Sequence, residues 1–358
     1  MVNTKFHDAT LRQQLDNILR KQEAAVRRAF MMSINDIRRN VTLRQLIDAI
    51  EAGDIPRAIR VLNLEPAAYA TFSEEIRNTY TQAGAVAMAG TVWRVPDMSK
   101  AVVRWDFDNP RARQWLLNWS STKITGDLIP GQVSAVRSAI EAGYGLGRGP
   151  RDIALDIVGR VGANGRRTGG ILGLDDQSVK WVSNMEDTLR NDPRSYFTVD
   201  KKTGVWKSRF SRSDGNVDKT LRKLVKNGEK IPEKLIQRAK GSYTDRMLQS
   251  RGNRIARTET AQAVNAARLE SSRQGAEATG LPDNVYIKTW RHGGPAETKA
   301  RTDHAAMNGV SVRGLNTPFT LPDGTQCQYP LDPILPAEHS INCRCGYFVE
   351  IDYKMLAT

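Results

Sequence analysis

Cysteine is scarce and confined: the chain has three among 358 residues, all beyond residue 326. An odd, late set does not make a secreted disulfide framework, and it points to something local near the C-terminal end. No apolar run approaches the roughly 18 residues of a membrane span, and the opening Met1–Asp8 has no apolar signal core. The expectation is a protein made and folded in a cytosol, without a membrane partner. With 40% hydrophobic and 26% charged residues the composition excludes both wholesale disorder and a small stapled scaffold. The length is enough for two or three domains.

Acidic residues are also in short supply, 39 against 53 Lys and Arg, for a formal charge of +14. From Lys201 to Arg257 there are 17 basic and five acidic residues, a balance of +12, whereas 281–358 has seven basic and eight acidic. The excess is thus regional, and a concentrated basic stretch matches a nucleic-acid footprint, because neutralising phosphates releases condensed counterions. The alternative is a solvated helix face with a loop.

Leu11, Leu15, Ile18, Leu19, Val26, Phe30 and Ile34 recur at three- and four-residue steps, which predicts one amphipathic helix over 9–40. Its apolar stripe suits docking on another subunit or packing within the chain. Thr42 caps a helix over 43–52, Pro56 opens another, and the next runs from Pro66 to about Ala89. Val92–Phe107 reads as extended and marks a boundary. Asn109-Pro110 and Pro130-Gly131 open two more helices, the second ended by glycines at 143, 145, 147 and 149. That glycine run lacks a preceding strand and a Gly-Lys-Ser/Thr ending, so it reads as a turn between helices, not a phosphate loop.

Pro150 begins a short helix through Val158, 162–170 is a flexible connection, and Asp175-Asp176 caps 177–191. Ser195–Asn216 has turn residues and little periodicity, which predicts a mobile loop. Helices follow over 217–227, 232–250 and from Asn253 to about Ala278, closed by Gly280 and Pro282. Beyond them come a strand over 285–290, a short helix over 297–308, strands over Val310–Phe319 and Cys345–Ile351, and a turn at Pro322-Asp323-Gly324. The fold class is therefore mainly α. A helical region (1–91) leads to a helical basic domain (92–280) with a flexible loop near 195–216, and then to a small α+β domain (281–358).

Three of the four histidines (His292, His304, His339) and all the cysteines (Cys327, Cys343, Cys345) fall within 54 residues. Imidazole and thiolate suit zinc, and thiols at i and i+2 of a strand share a face. The Cys-Arg-Cys gap is tighter than the usual two residues, however, and no second Cys-x-x-Cys or His-x-x-x-His pair accompanies it. The cysteines are taken as buried structural thiols, with no cofactor. His304, His339, Cys343 and Cys345 are the candidate ligands of the alternative, and a disulfide from Cys327 is a late option in an oxidising medium. Arg301 and His304 share a helix face. A general base with an anion clamp is one reading; the other is structural, with Arg301 paired to an acid such as Glu338 or Asp332. No Ser-His-Asp order or carboxylate pair converges here.

Asn342-Cys343-Arg344-Cys345, preceded by Pro330-x-Asp332-Pro333, Glu338 and Arg301-x-x-His304-x-x-x-x-Gly309, resembles the C-terminal domain of the phage Mu F-like minor head proteins. The helix Arg257-Thr258-Glu259-Thr260-x-x-x-x-Asn265 upstream of Trp290 is similar to that family too. The resemblance covers about 253–350 and more weakly extends back to about 104. Where the family often has an Asp and an Arg-Thr-Arg run before the histidine, this chain has Glu297 and Lys299-Ala300-Arg301.

The resemblance implies a non-enzymatic virion component acting in head morphogenesis. Such a protein is present in a few copies in the capsid interior near the portal vertex, and in the host cytoplasm during assembly. It implies portal or major capsid protein as partners. Some members bind DNA, and the regional charge agrees with this: packaged double-stranded DNA is a further expected partner, contacted in the basic stretch through Lys219, Arg222, Lys223, Lys226, Lys234 and Arg238. Arg301, His304, Asp332, Asn342, Cys343, Arg344 and Cys345 form the structural motif of the C-terminal domain. A metal-assisted hydrolase or nuclease built on the His/Cys cluster is the alternative function, and a capsid adaptor without DNA contact is a third.

Overall fold

A computed structural model describes residues 4–162, 165–293 and 301–356, with side chains from residue 10 onward. Along the chain run α1 (Thr4–Asn40), α2 (Leu43–Glu51), α3 (Ile55–Val61), α4 (Ala70–Gly90), α5 (Pro110–Ser120), α6 (Ile129–Gly145) and α7 (Pro150–Val158). The strands β1 (Arg160–Val161) and β2 (Arg167–Thr168) pair next, before α8 (Asp176–Asn191), β3 (Phe197–Val199), β4 (Trp206–Ser208), α9 (Gly215–Lys226) and α10 (Glu233–Thr279). The last part holds β5 (Tyr286–Arg291), α11 (Thr302–Ala306), β6 (Ser311–Arg313), β7 (Phe319–Thr320), β8 (Gln326–Cys327), α12 (Ala337–Ser340) and β9 (Gly346–Ile351). The chain is mainly α with a small α+β portion at its C-terminal end, as its periodicity predicts.

Helix starts follow local chemistry. The Asn109 side chain accepts the Arg111 N–H at 3.0 Å and Asp175 accepts that of Ser178 at 2.8 Å, which satisfies donors that a helix leaves unpaired. Pro110 and Pro150 occupy first-turn positions where a missing N–H costs nothing. Thr42 stands at the start of α2 without a side-chain cap, and Asp54 caps α3 by accepting from Arg57 at 2.9 Å.

Three expectations are corrected. The helices expected over 232–250 and 253–278 are one helix, α10, of 47 residues. Ser195–Asn216 is not a loose loop: β3 and β4 pair antiparallel from Phe197↔Ser208 to Val199↔Trp206, and Tyr196 packs against Phe197 and Phe210 with ring centroids 4.9 and 5.1 Å away. The expected strand over 310–319 breaks after Arg313 at Gly314, whose φ of +100° favours glycine. Of the helix expected over 297–308, residues 297–300 lie outside the described residues, as do 163 and 164 of the connection over 162–170.

Two compact units are each assembled from separated stretches, unlike the sequential division at 91/92 and 280/281. One comprises Met1–Phe30, Thr71–Ser121 and Asn253–Thr358; the other comprises Met31–Ala70 and Thr122–Gly252. In the first, the antiparallel sheet has the order β6-β5-β9, and Tyr286, Lys288 and Trp290 of β5 face inward at alternate positions. Phe72 sits between Phe30 (5.7 Å) and Trp119 (5.5 Å), and the Trp119 indole N–H donates to Glu259 Oε2 at 2.8 Å. In the second unit, Lys240 is buried between Asp156 (2.6 Å) and Glu186 (2.9 Å), with Arg148 on the same two carboxylates. Burial pushes the Lys240 ammonium down to about 8 against the pull of Asp156. Most of the apolar stripe of α1 is covered within the chain: Leu11, Leu15, Val26, Phe30, Ile34 and Ile37 are buried, whereas Ile18 and Leu19 are half-buried.

Candidate functional site

In the first unit the two motif segments named above meet. Arg257 on α10 donates to Asn342 Oδ1 at 3.1 Å, and the Asn342 N–H donates to Thr258 Oγ1 at 3.1 Å. Asn342 itself has φ of +61°, a left-handed conformation in which asparagine is one of the few tolerated residues. Further along α10, the Asn265 amide donates to the carbonyls of Pro330 (2.7 Å) and Cys345 (3.1 Å), and Gln262 donates to that of Leu331 (3.1 Å). Thr258, Gln262 and Asn265 thus lie on one face of α10, which receives the Cys-Arg-Cys hook and the Pro330-Leu331 segment. Gly293 lies so close to the Arg344 carbonyl that there is no room for a Cβ.

The hook carries the chemistry. His304, on α11, has Nδ1 3.4 Å from Cys343 Sγ and 3.7 Å from Cys345 Sγ. Its other nitrogen, Nε2, is 3.2 Å from His339 Nδ1, and the two rings stack at 5.4 Å. His339 Nε2 then reaches Asp323 Oδ2 at 2.8 Å, while Asp303 Oδ2 stands 3.3 Å from His339 Nδ1. His304, His339, Cys343 and Cys345 are all buried, and the indole of Trp290 closes edge-on over His304 at 5.8 Å.

The two thiols have opposite tendencies. Hydrogen bonding from Cys343, reinforced by His304 and the Gly293 N–H, holds the Cys345 thiol below its ordinary range. Hydrogen bonding with Cys345 and burial push the Cys343 thiol up. Cys327 lies on β8, free and buried, and burial pushes its thiol up to about 12. It is not among the ligand atoms that gather around His304.

Other motif residues have structural partners that differ from expectation. Arg301 donates to the Ile341 carbonyl at 2.7 Å, not to an acid. Asp332 is buried and accepts the N–H groups of Gln328 (2.8 Å) and Ile334 (3.2 Å). The Arg344 side chain is exposed. Asp323, absent from the residues singled out by sequence, anchors His339; the only signal was its turn motif, in which it also accepts from Thr325 N at 2.9 Å.

In the second unit, Lys219, Arg222, Lys223 and Lys226 fall at helical spacings on one face of α9, while Val217 and Leu221 are buried on the other. Lys234 and Arg238, one turn apart, are both exposed on α10. The Trp206 ring lies between the Arg194 guanidinium (3.6 Å) and the Lys226 ammonium (5.2 Å), and Arg222 stands over Phe197 at 5.9 Å. Sequence reading missed Arg194 and Trp206 because it took their surroundings for a loop.

The acids nearby are occupied. Asp218 accepts from the Tyr196 and Ser213 hydroxyls at 2.8 and 2.6 Å, Asp214 pairs with Arg246 at 2.9 Å, and Glu233 pairs with Arg190 at 2.7 Å. Lys240, Arg246 and Arg251 of the basic stretch are likewise engaged internally. The unpaired charge is therefore concentrated before residue 240.

Residues 215–348 match the family model described as "Phage Mu protein F like protein". The chain thus carries a segment similar to the phage Mu F-like family. This Mu F-like segment begins with α9 and contains the complete His304–Cys343–Cys345 cluster. A Bacillus subtilis (strain 168) protein described as "Uncharacterized protein YqbB" is 29% identical over 141 residues, 39% of this chain and 43% of that protein. The chain thus matches less than half the length of that relative. No solved structure matches.

Proposed function

We propose that the chain is a minor head protein of a phage virion. It acts in head morphogenesis in the capsid interior near the portal vertex, and it sets the face built by β3, β4 and α9 against packaged double-stranded DNA. Its partners on the protein side are portal or major capsid protein, and its role is structural, not enzymatic. The Mu F-like match supports the head assignment. The DNA contact rests on one observation: Lys219 and Lys223 are exposed, and neither they nor Arg222 and Lys226 join a salt bridge among the described residues. Lys201, Lys202 and Lys207 on the adjoining hairpin add exposed charge of the same sign.

DNA affinity measured against salt tests this reading. Log affinity is expected to fall linearly with log salt, and replacing Lys219, Arg222, Lys223 and Lys226 by Ala should flatten the slope by about 0.9 for each phosphate no longer neutralised. The double variant K219A/K223A removes only exposed side chains and guards against misfolding. A slope near zero in the intact protein removes DNA from the proposal. Cross-linking in particles, to DNA or to portal, then separates DNA binding from an adaptor role.

A further inference from the structure

Independently of the head-protein reading, we infer that His304, Cys343 and Cys345 together bind one zinc-class divalent ion per chain, through His304 Nδ1 and the two Sγ atoms. The distances have the right scale. With Zn–N near 2.0–2.1 Å and Zn–S near 2.3 Å in tetrahedral geometry, a nitrogen and a sulfur ligand stand about 3.6 Å apart. Here the two separations are 3.4 and 3.7 Å, and all three ligand atoms lie within 4.8 Å of one another.

Hydrogen bonding alone serves this arrangement poorly. His304 Nδ1 offers either one lone pair or one hydrogen, yet two sulfurs converge on it; an ion satisfies all three donors at once. Each sulfur also accepts a main-chain N–H, Cys343 from Cys345 at 3.3 Å and Cys345 from Gly293. The nitrogen and sulfur set selects zinc over magnesium or calcium, which prefer oxygen.

The surroundings supply what a metal-bound histidine needs. Its second nitrogen should donate to a fixed acceptor, which sets the tautomer and the ring plane. His304 Nε2 faces His339 Nδ1 at 3.2 Å, and His339 Nε2 is in turn tied to Asp323 at 2.8 Å. With the His339 Nε2–H given to Asp323, His339 Nδ1 accepts from His304 Nε2, and His304 Nδ1 keeps its lone pair toward the sulfurs; in that tautomer Asp303, 3.3 Å from His339 Nδ1, receives no proton from it. His339 is thereby a positioning residue and not a ligand. Cys343 and Cys345 border a cleft of about 340 Å³. Three protein ligands leave a fourth tetrahedral position for water.

The full chain, purified under reducing conditions without chelator or metal-affinity resin, decides the matter. Elemental analysis should give about one zinc per chain. Cobalt(II) put in its place should produce an intense near-ultraviolet thiolate-to-cobalt band with tetrahedral visible bands. Chelator should speed alkylation of Cys343 and Cys345, read by mass spectrometry. C345S and H304A should lose the cobalt band, whereas H339Q should keep full stoichiometry at saturation with affinity about 10–100-fold weaker. If the wild-type protein contains no metal, shows no thiolate band with cobalt, and alkylates at the same rate with and without chelator, the site is refuted whatever the variants do.

Discussion

Asn265 binds the Cys345 carbonyl from a position 80 residues earlier in the chain, at 3.1 Å, and the same amide nitrogen holds Pro330 O at 2.7 Å. Its own main-chain carbonyl accepts the Tyr347 hydroxyl at 3.0 Å. One buried residue thereby ties α10 to Pro330, to the Cys345 end of the hook and to Tyr347 at the start of β9.

Asn265→Ala should cost about 1–3 kcal/mol in urea unfolding, because it leaves two buried carbonyls without donors. Asn265→Asp should cost more, since a carboxylate presents only acceptors to those carbonyls. A loss below about 0.5 kcal/mol for Ala, the range of ordinary surface changes, would mean that the hook is held by something else.

Glycine-to-alanine changes should have opposite signs at two helical positions. Gly275 on α10 lies against the Trp93 ring, which occupies the place of a Cβ, so Gly275→Ala should destabilise by about 1–3 kcal/mol through overpacking. Gly131 on α6 has no atom within 4 Å of that place, and Gly131→Ala should stabilise by up to about 1 kcal/mol. Thermal melts of the two variants side by side check the pair.

Acid should weaken the second unit through Glu233. The bidentate Arg190 pair, at 2.7 Å on both oxygens, holds this carboxyl at about 2 against an ordinary 4.5. A depressed carboxylate contributes stability that is fully present above its unfolded pKa and is lost as pH falls through the folded one. The contribution should therefore fade between pH 4.5 and 2. In Glu233→Gln the unfolding midpoint should vary less over that window, and equal slopes for variant and wild type would contradict the assignment.

Trp206→Ala should weaken DNA binding by a different route from the lysine substitutions. Arg194 and Lys226 keep their charge but no longer have the ring that positions them. Affinity is expected to drop roughly three- to tenfold at fixed salt, about 0.7–1.4 kcal/mol, with the salt slope changed by less than one. Filter-binding titrations at several salt concentrations distinguish this from removal of a phosphate-neutralising charge.

Much of the helical plan was legible, because caps and prolines act locally: Asn109, Asp175 and Pro150 mark helix starts where the structure has them. The length of α10 was not. Gly252-Asn253 reads as an end, yet an interior glycine costs only about 1 kcal/mol, and burial of Ile255, Ala256, Ala263, Val264 and Ala267 outweighs it. The β3–β4 hairpin escapes notice because each strand has three residues, too few for alternation to register. Of the candidate metal cluster, the residue types are visible in the sequence. The division of labour between the two nitrogens of His304 is not, since it depends on α12 delivering His339 to one side and the hook delivering both sulfurs to the other. Arg301 misleads for a similar reason: sequence suggests a charge partner, whereas a main-chain carbonyl is nearer.

The close approach of Gly293 to the Arg344 carbonyl has a mechanical meaning. The β5–β9 ladder ends at Arg291↔Gly346, and two residues beyond it on either side backbone presses on backbone. The two strands pinch together there instead of splaying, and the pinch aims the Gly293 N–H at Cys345. Main-chain geometry at this point thus sets how the hook that carries the two sulfurs is held. It should tolerate repacking of the neighbouring core and yet fail on the addition of a single methyl group at 293.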